Sequence, residues 1–394
     1  MDDALNPSRW RAWLMLPACI ALFLLISSIF WWPGSDNSRL AFIRIFVFLG
    51  AVYALFSKRR PSFDTSHVLF AVFWGYLFLN ASGFGEMQSM RRLSMILLFI
   101  LMGSATLNRS VVFRPIAACA MVPVLVVTFW TVGALAVQDA IHFSYRKMPF
   151  EANFGNTVDA GTHYVPILVF VTWLALTAKQ RLIACAWGAC ALMLVVLIYL
   201  TWSRTAWLSG TISVALLLMF LASRKIRKIA LLSFAAVTLL IAIYGRQVIL
   251  LETVGRGLSQ RDDIWTNILE RMSGHWIFGH GAGANLGIFV LSPEISVAHA
   301  HNLYLELLFQ YGVCGVFLMV LASLACLLKL FRLRRNPLAV LWLALLVGGM
   351  LAMGFAMSNF IGTPNRIWIF YWLPLAGALA IPAQFPVQSV HDRD

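Results

Sequence analysis

Residues 181–228 read RLIACAWGACALMLVVLIYLTWSRTAWLSGTISVALLLMFLASRKIRK. Two apolar runs of about twenty residues, the length a helix needs to cross a bilayer's hydrocarbon core, are parted only by the link Thr201-Trp202-Ser203-Arg204. Arg181 stands at the far end of one run, and Arg224, Lys225, Arg227 and Lys228 at the far end of the other. The pattern predicts a helical hairpin through a membrane, turned tightly on one face and anchored by cations on the other. Strands of a membrane barrel alternate apolar and polar residues, whereas these runs are continuously apolar, so the barrel is excluded.

The same pattern recurs throughout the 394 residues, which are 61% apolar and 12% charged, with mean hydropathy +0.81. That leaves too little polar surface for a water-soluble domain of this length. An all-α polytopic membrane protein is expected, with twelve spans at about 12–32, 39–57, 66–83, 90–107, 112–137, 162–178, 182–202, 204–222, 229–245, 301–328, 338–358 and 365–383. The first run follows Arg9 and Arg11 but lacks a small-residue cleavage site, so it reads as a span and not as a removed signal peptide. All six cysteines (Cys19, Cys119, Cys185, Cys190, Cys314 and Cys326) fall inside spans. This argues against a disulfide framework in the loops and against a Cys-based metal site.

Lysine and arginine favour cytoplasmic loops. Here they fill alternate connections: Lys58-Arg59-Arg60; Arg109 with Arg114; Lys179 with Arg181; the Arg224–Lys228 cluster; and Lys329 with Arg332, Arg334 and Arg335. Arg9 and Arg11 fall on the same side, so both termini are expected in the cytoplasm. Most of the net charge of +14 is this topogenic signal, and no nucleic-acid partner is implied. Two long loops face outward, 138–161 and 245–300. In the second, Ile264, Trp265, Ile268, Leu269 and Met272 follow helical spacing, which predicts an amphipathic helix lying at the membrane interface. A glycine-rich turn, Gly279-His280-Gly281-Ala282-Gly283, comes next. No soluble domain fits in either loop, and there is no internal repeat.

The outer cations are Arg39, Arg44, Arg91, Arg92, Arg146, Arg204, Arg246, Arg256, Arg261, Arg271 and Arg366, with Lys147 the lone lysine. Arginine's planar fork grips phosphate oxygens two at a time and stays protonated. An arginine-rich outer face therefore suggests a phosphorylated substrate at the interface. The competing reading is that these side chains snorkel to headgroups or pair with outer carboxylates such as Glu86, Asp262 and Glu270.

The tenth span opens with His299-Ala300-His301-Asn302-Leu303-Tyr304-Leu305-Glu306. A histidine at the mouth of a span can accept a proton near neutral pH, and Asn302 and Glu306 share a helix face. Gly312 and Gly315 follow, small enough to permit close helix approach. A zinc site at His280, His299 and His301 lacks a completing ligand. No Asp-x-Asp pair is present to hold a magnesium diphosphate, and no nucleotide-binding glycine loop occurs. Neither metal nor cofactor is expected.

Taken together, these motifs resemble the bacterial O-antigen ligase family, within the wider group of O-antigen ligases and polymerases. The family signature, His-[Asn/Ser/Gln], nine residues, then Gly-x-x-Gly, is met by His301, Asn302, Leu303–Tyr311, Gly312 and Gly315. Arg204 and Leu208 are similar to its Arg-x-x-x-Leu element. Arg261 and Trp265, followed by Gly279-x-Gly281, are similar to the core of its large outer loop. The resemblance is detailed over about 200–316 and elsewhere rests on span count and topology. It implies a fold similar to C-type membrane glycosyltransferases, sited in the bacterial inner membrane with its active site facing the periplasm. The implied donor is a polysaccharide on undecaprenyl pyrophosphate and the implied acceptor a sugar hydroxyl of lipid A–core, joined by metal-independent inverting transfer. His301 would be the base, and Arg204 and Arg261 would stabilise the pyrophosphate. Substrate contacts would come from Asn302, Glu306, Arg91, Arg146, Lys147 and Arg366. O-antigen polymerase and protein O-oligosaccharyltransferase are rival readings with the same donor, and a lipid-linked glycan transporter is the non-enzyme rival.

Overall fold

A computed structural model describes residues 7–33, 35–57, 63–137, 154, 156–244, 261–287, 289–292, 295–297 and 299–383. In chain order the helices are α1 (Pro7–Trp31), α2 (Asp36–Phe56), α3 (Thr65–Gly83), α4 (Met87–Thr106), α5 (Ser110–Val137), α6 (Thr157–Thr177), α7 (Arg181–Leu200), α8 (Arg204–Leu221) and α9 (Arg224–Tyr244). Then come α10 (Arg261–Glu270), α11 (Leu303–Arg332), α12 (Pro337–Met353) and α13 (Leu373–Ala380), the last entered through a π-helical turn, Trp368–Trp372. A helix lies on every predicted segment. Among the described residues, seven helices are long and apolar enough to cross a membrane: α2, α4, α5, α6, α7, α8 and α11. The protein is thus a polytopic helical membrane protein. All six cysteines lie on helices (Cys19 on α1, Cys119 on α5, Cys185 and Cys190 on α7, Cys314 and Cys326 on α11), unbridged.

Polar residues at the chain's turning points start the helices. Ser35, Asp64, Asn156, Ser203, Asn302 and Asn336 each turn a side-chain oxygen onto an amide of the first turn, which satisfies donors that no preceding turn can reach. The bundle is centred on α6 and α12. α6 is buried along most of its length, and Trp173 Nε1 donates to the Pro337 carbonyl at 2.9 Å. On α12, Gly348 lies against Ser213 of α8, whose hydroxyl donates to Ala344 O at 2.9 Å.

Three features depart from the sequence reading. First, most of the α10 stripe is covered by protein: Ile264, Ile268 and Met272 are buried with Leu286, Ala300 and Phe309, while Leu269 stays exposed. Second, a short antiparallel hairpin, β1 (Phe289–Ser292) with β2 (Ile295–Val297), precedes the histidine segment. Third, the tenth span is broken. Gly312 adopts φ 65°, ψ −172°, dividing α11 into an outer piece, Leu303–Tyr311, and a longer inner piece. The amides of His280 and Gly281 donate to the carbonyls of Phe309 and Gln310 at 2.8 and 3.0 Å, and those of Val313 and Cys314 donate to Trp276 and Ile277 at 2.8 and 3.2 Å. The glycine-rich turn thus supplies the partners that the broken helix loses. A Cβ on Gly279 would come within 2.5 Å of Gln310 backbone, and one on Gly312 would overlap Ile277 backbone.

Candidate active site

The site is built where three chain segments meet the outer end of the bundle. The first is the α7–α8 link. Trp202 turns the chain with φ 49°, and Ser203 Oγ accepts from the Ala206 amide at 3.3 Å. The link rests on α6 at Gly161, where a Cβ would come within 2.5 Å of Thr201 Oγ1 and 2.9 Å of Ser203 Cβ. Arg204, half-buried, is the first residue of α8.

The second segment is the histidine turn. Trp265 Nε1 of α10 donates to the Ala300 carbonyl at 3.0 Å, fixing the turn from outside. His301 itself has φ 49°. The carboxamide oxygen of Asn302 accepts from the amides of Tyr304 and Leu305 at 3.0 and 3.3 Å. Asn302 is therefore the helix cap that ends the strained turn, and its oxygen is committed to backbone. Burial lowers the proton affinity of His301 below that of an ordinary imidazole, and the charge of Arg261 pushes it further the same way; the carboxylate of Asp159 opposes. Burial and the Arg261 charge thus both favour the neutral imidazole, the form that can take a proton.

The third segment, between α12 and the π turn, carries another left-handed residue, Asn359, with φ 60°. Its amide donates to Glu306 Oε2 at 2.8 Å. The other oxygen of this buried carboxylate lies 3.9 Å from His299 Nδ1. Glu306 therefore reaches His299 and the Asn359 turn. Arg92 Nη1 donates to the Ile361 carbonyl at 3.3 Å. Arg366 pairs with Asp159 and donates to Thr162 Oγ1 at 3.0 Å, so its charge is shared with α6 next to the Gly161 seat. His163 Nδ1 holds the same turn through the Asp159 carbonyl at 2.7 Å.

Of the sequence-predicted residues, His301 and Arg261 come within electrostatic range of each other, and Arg366 acts on His301 as well. Arg91 is exposed on α4, while its neighbour Arg92 turns inward. Arg146 and Lys147 lie outside the described residues, as does much of the 138–161 loop. Asp159, Arg92, Asn359 and the His299–Glu306 contact were not foreseen. Among the described residues no three His, Cys, Asp or Glu side chains converge to hold a metal ion. The arrangement offers a neutral imidazole beside fixed guanidinium charge. It can take a proton while an anion develops nearby.

Residues 188–320 match the family model described as O-antigen ligase. The chain is also similar to the O-antigen ligase of Pseudomonas aeruginosa PAO1, 33% identical over 206 residues. That alignment covers 52% of this chain and 50% of the relative, so the chain spans about half the length of the curated protein it matches. The family-model match contains Arg204, Arg261, His301, Gly312 and Gly315, whereas Arg92, Asp159 and Arg366 fall outside it.

Proposed function

With residues 188–320 matching the family model described as O-antigen ligase, we propose that this chain is a member of that family, an inner-membrane glycosyltransferase joining a polysaccharide from undecaprenyl pyrophosphate to a sugar hydroxyl of lipid A–core. The observation that carries this reading is the partly buried His301 at the mouth of α11, on a turn held by Trp265 and the Asn302 cap and within electrostatic range of Arg261. In the proposed reaction the acceptor hydroxyl oxygen attacks the anomeric carbon and its proton passes to His301. The bond from that carbon to the pyrophosphate oxygen breaks, and the pyrophosphate leaves on its lipid anchor with the electron pair. Arg204 and Arg261 offset the charge growing there. A single displacement inverts the anomeric centre. Arg366, held by Asp159, sets the outer end of α6, and Arg91, Arg146 and Lys147 are proposed to meet the donor farther out.

The charge distribution supports twelve spans with both termini cytoplasmic. His301 and Lys329 stand at opposite ends of α11, which supports a periplasmic site. The deciding experiment incubates purified protein with undecaprenyl-pyrophosphate-linked glycan and lipid A–core in excess EDTA. The expected product is glycan-bearing lipid A–core, formed despite the chelator. Lengthened lipid-linked glycan alone would make the protein a polymerase, and glycan on serine or threonine of an added protein would make it an oligosaccharyltransferase. Glycan crossing the bilayer with no new bond would make it a transporter. Each of these outcomes overturns the ligase reading.

A further inference from the structure

Between α10 and the glycine-rich turn, Trp276, Ile277 and Phe278 stand 45, 62 and 61% exposed, and the proposed reaction uses none of them. α11 gauges their depth. Its basic end begins at Lys329, whose ammonium lies 2.7 Å from Asp64, and no charged residue intervenes between there and Val313. Sixteen residues separate the two, about 24 Å at the helical rise, which falls inside a hydrocarbon core of about 30 Å. Tilting the helix would only carry Val313 deeper. Because Val313 and Cys314 donate to Trp276 and Ile277, these residues lie at the same depth.

Two further observations agree. The exposed large apolar residues of α11 (Val313, Phe317, Val320, Leu324, Leu328 and Phe331) form one stripe at helical spacing, and Ile277 is bonded at its upper end. In addition, the carbonyls of Trp276, Ile277 and Phe278 all accept hydrogen bonds, the last from Asn80 Nδ2 at 3.4 Å. Non-helical backbone at membrane depth requires such partners, and in water an open run of three large apolar side chains would have nothing to cover it.

We infer that Trp276–Phe278 is a re-entrant segment seated among the acyl chains of the leaflet on the site's side. It fastens α10, and with it Arg261, to the membrane surface. The inference rests on the fold and stands independently of the proposed reaction. The test is Ile277→p-benzoylphenylalanine in the full-length protein, purified and irradiated in vesicles of phosphatidylethanolamine and phosphatidylglycerol. Mass spectrometry then reads phospholipid adducts on the peptide. The expected yield is comparable to that of the same probe at Phe317 on the α11 stripe, and about tenfold above that at the exposed Asn285. Yield at the Asn285 level, or crosslinks to protein alone, overturns the inference. The probe at Phe278 repeats the measurement should the first variant misfold.

Discussion

Gly312→Ala puts the interlock between the glycine-rich turn and α11 to the test. Gly312 sits at φ 65°, ψ −172°, a region essentially reserved for glycine that costs an L-residue roughly 1–3 kcal/mol. The added Cβ would also overlap the carbonyl of Ile277 and approach the amide of Gly279. These are backbone atoms, so no side-chain rotation relieves the overlap, and the turn must lift away. Lifting forfeits the four hydrogen bonds from His280, Gly281, Val313 and Cys314, worth about 0.5–1.5 kcal/mol each. A combined cost of at least about 3 kcal/mol lowers hydrogen-exchange protection of the His280 and Gly281 amides by about 100-fold. Hydrogen exchange with mass spectrometry on detergent-solubilised protein measures this directly. Glycan transfer should fall with it, because Arg261 and Trp265 ride on the displaced segment. Gly188→Ala on α7, where a Cβ meets nothing within 4 Å, is the control and should match wild type or exceed it in stability. Wild-type exchange and activity in Gly312→Ala would refute the interlock.

His301→Ala should abolish transfer while the protein elutes and melts as wild type does; retained activity would remove the proposed base. Activity should fall on acidification as His301 takes a proton, with the acid limb below the ordinary imidazole value of about 6.5. Arg261→Gln should move that limb to higher pH as well as slow the reaction, since it removes a charge that lowers His301's proton affinity; an unmoved limb would disconnect the two residues. Arg204→Lys should stay impaired despite its charge, because the fork is lost; transfer assays at saturating donor test this. At the far end of the bundle, burial pushes the Asp64 carboxyl up, but bonds from Lys329, Ser66 and His67 win and hold it well below the usual carboxylate range. Its contribution to stability is therefore full above about pH 4 and lost as pH falls through the lowered value. Lys329→Met should lower the melting temperature in detergent, because it leaves the partly buried Asp64 carboxylate without its cation while the Ser66 and His67 contacts remain; an unchanged melting temperature would show that the pair contributes nothing.

The helices were legible because crossing a bilayer demands long apolar runs and little else. His301 and Gly312 were legible as motif positions, but what Gly312 does was not: a glycine that admits a neighbouring helix and one that turns the chain at positive φ look alike in sequence. The α10 stripe gave the helix without its partner, since apolar spacing identifies a buried face and not whether lipid or protein covers it. Arg91 and Arg92 differ by about 100° around a helix, so which of them turns inward depends on a rotation that sequence leaves open. The pair between Asp159 and Arg366 joins residues 207 apart in the chain, and only the folded bundle brings them together.

Among the described residues, three that are not glycine hold left-handed backbone: Trp202, His301 and Asn359. Each lies on one of the three segments that form the site. Such conformations cost about 1–3 kcal/mol apiece and persist only where surroundings impose them. The imposing contacts are the Gly161 seat and the Ser203 cap for Trp202, Trp265 and the Asn302 cap for His301, and Glu306 for Asn359. One of these ties His301 and Arg261 to a common support. Trp265 and Arg261 share α10, so the element that fixes the histidine turn also carries the charge acting on His301. Glu306 holds the Asn359 turn from the same outer piece of α11 that Asn302 caps. Shifting α10 would therefore change the orientation of His301 and its proton affinity together. Separate supports would allow one to fail without the other, so of these two α10 residues only Arg261 should yield a variant that moves the pH limb while leaving the turn in place; a change at Trp265 should disturb both.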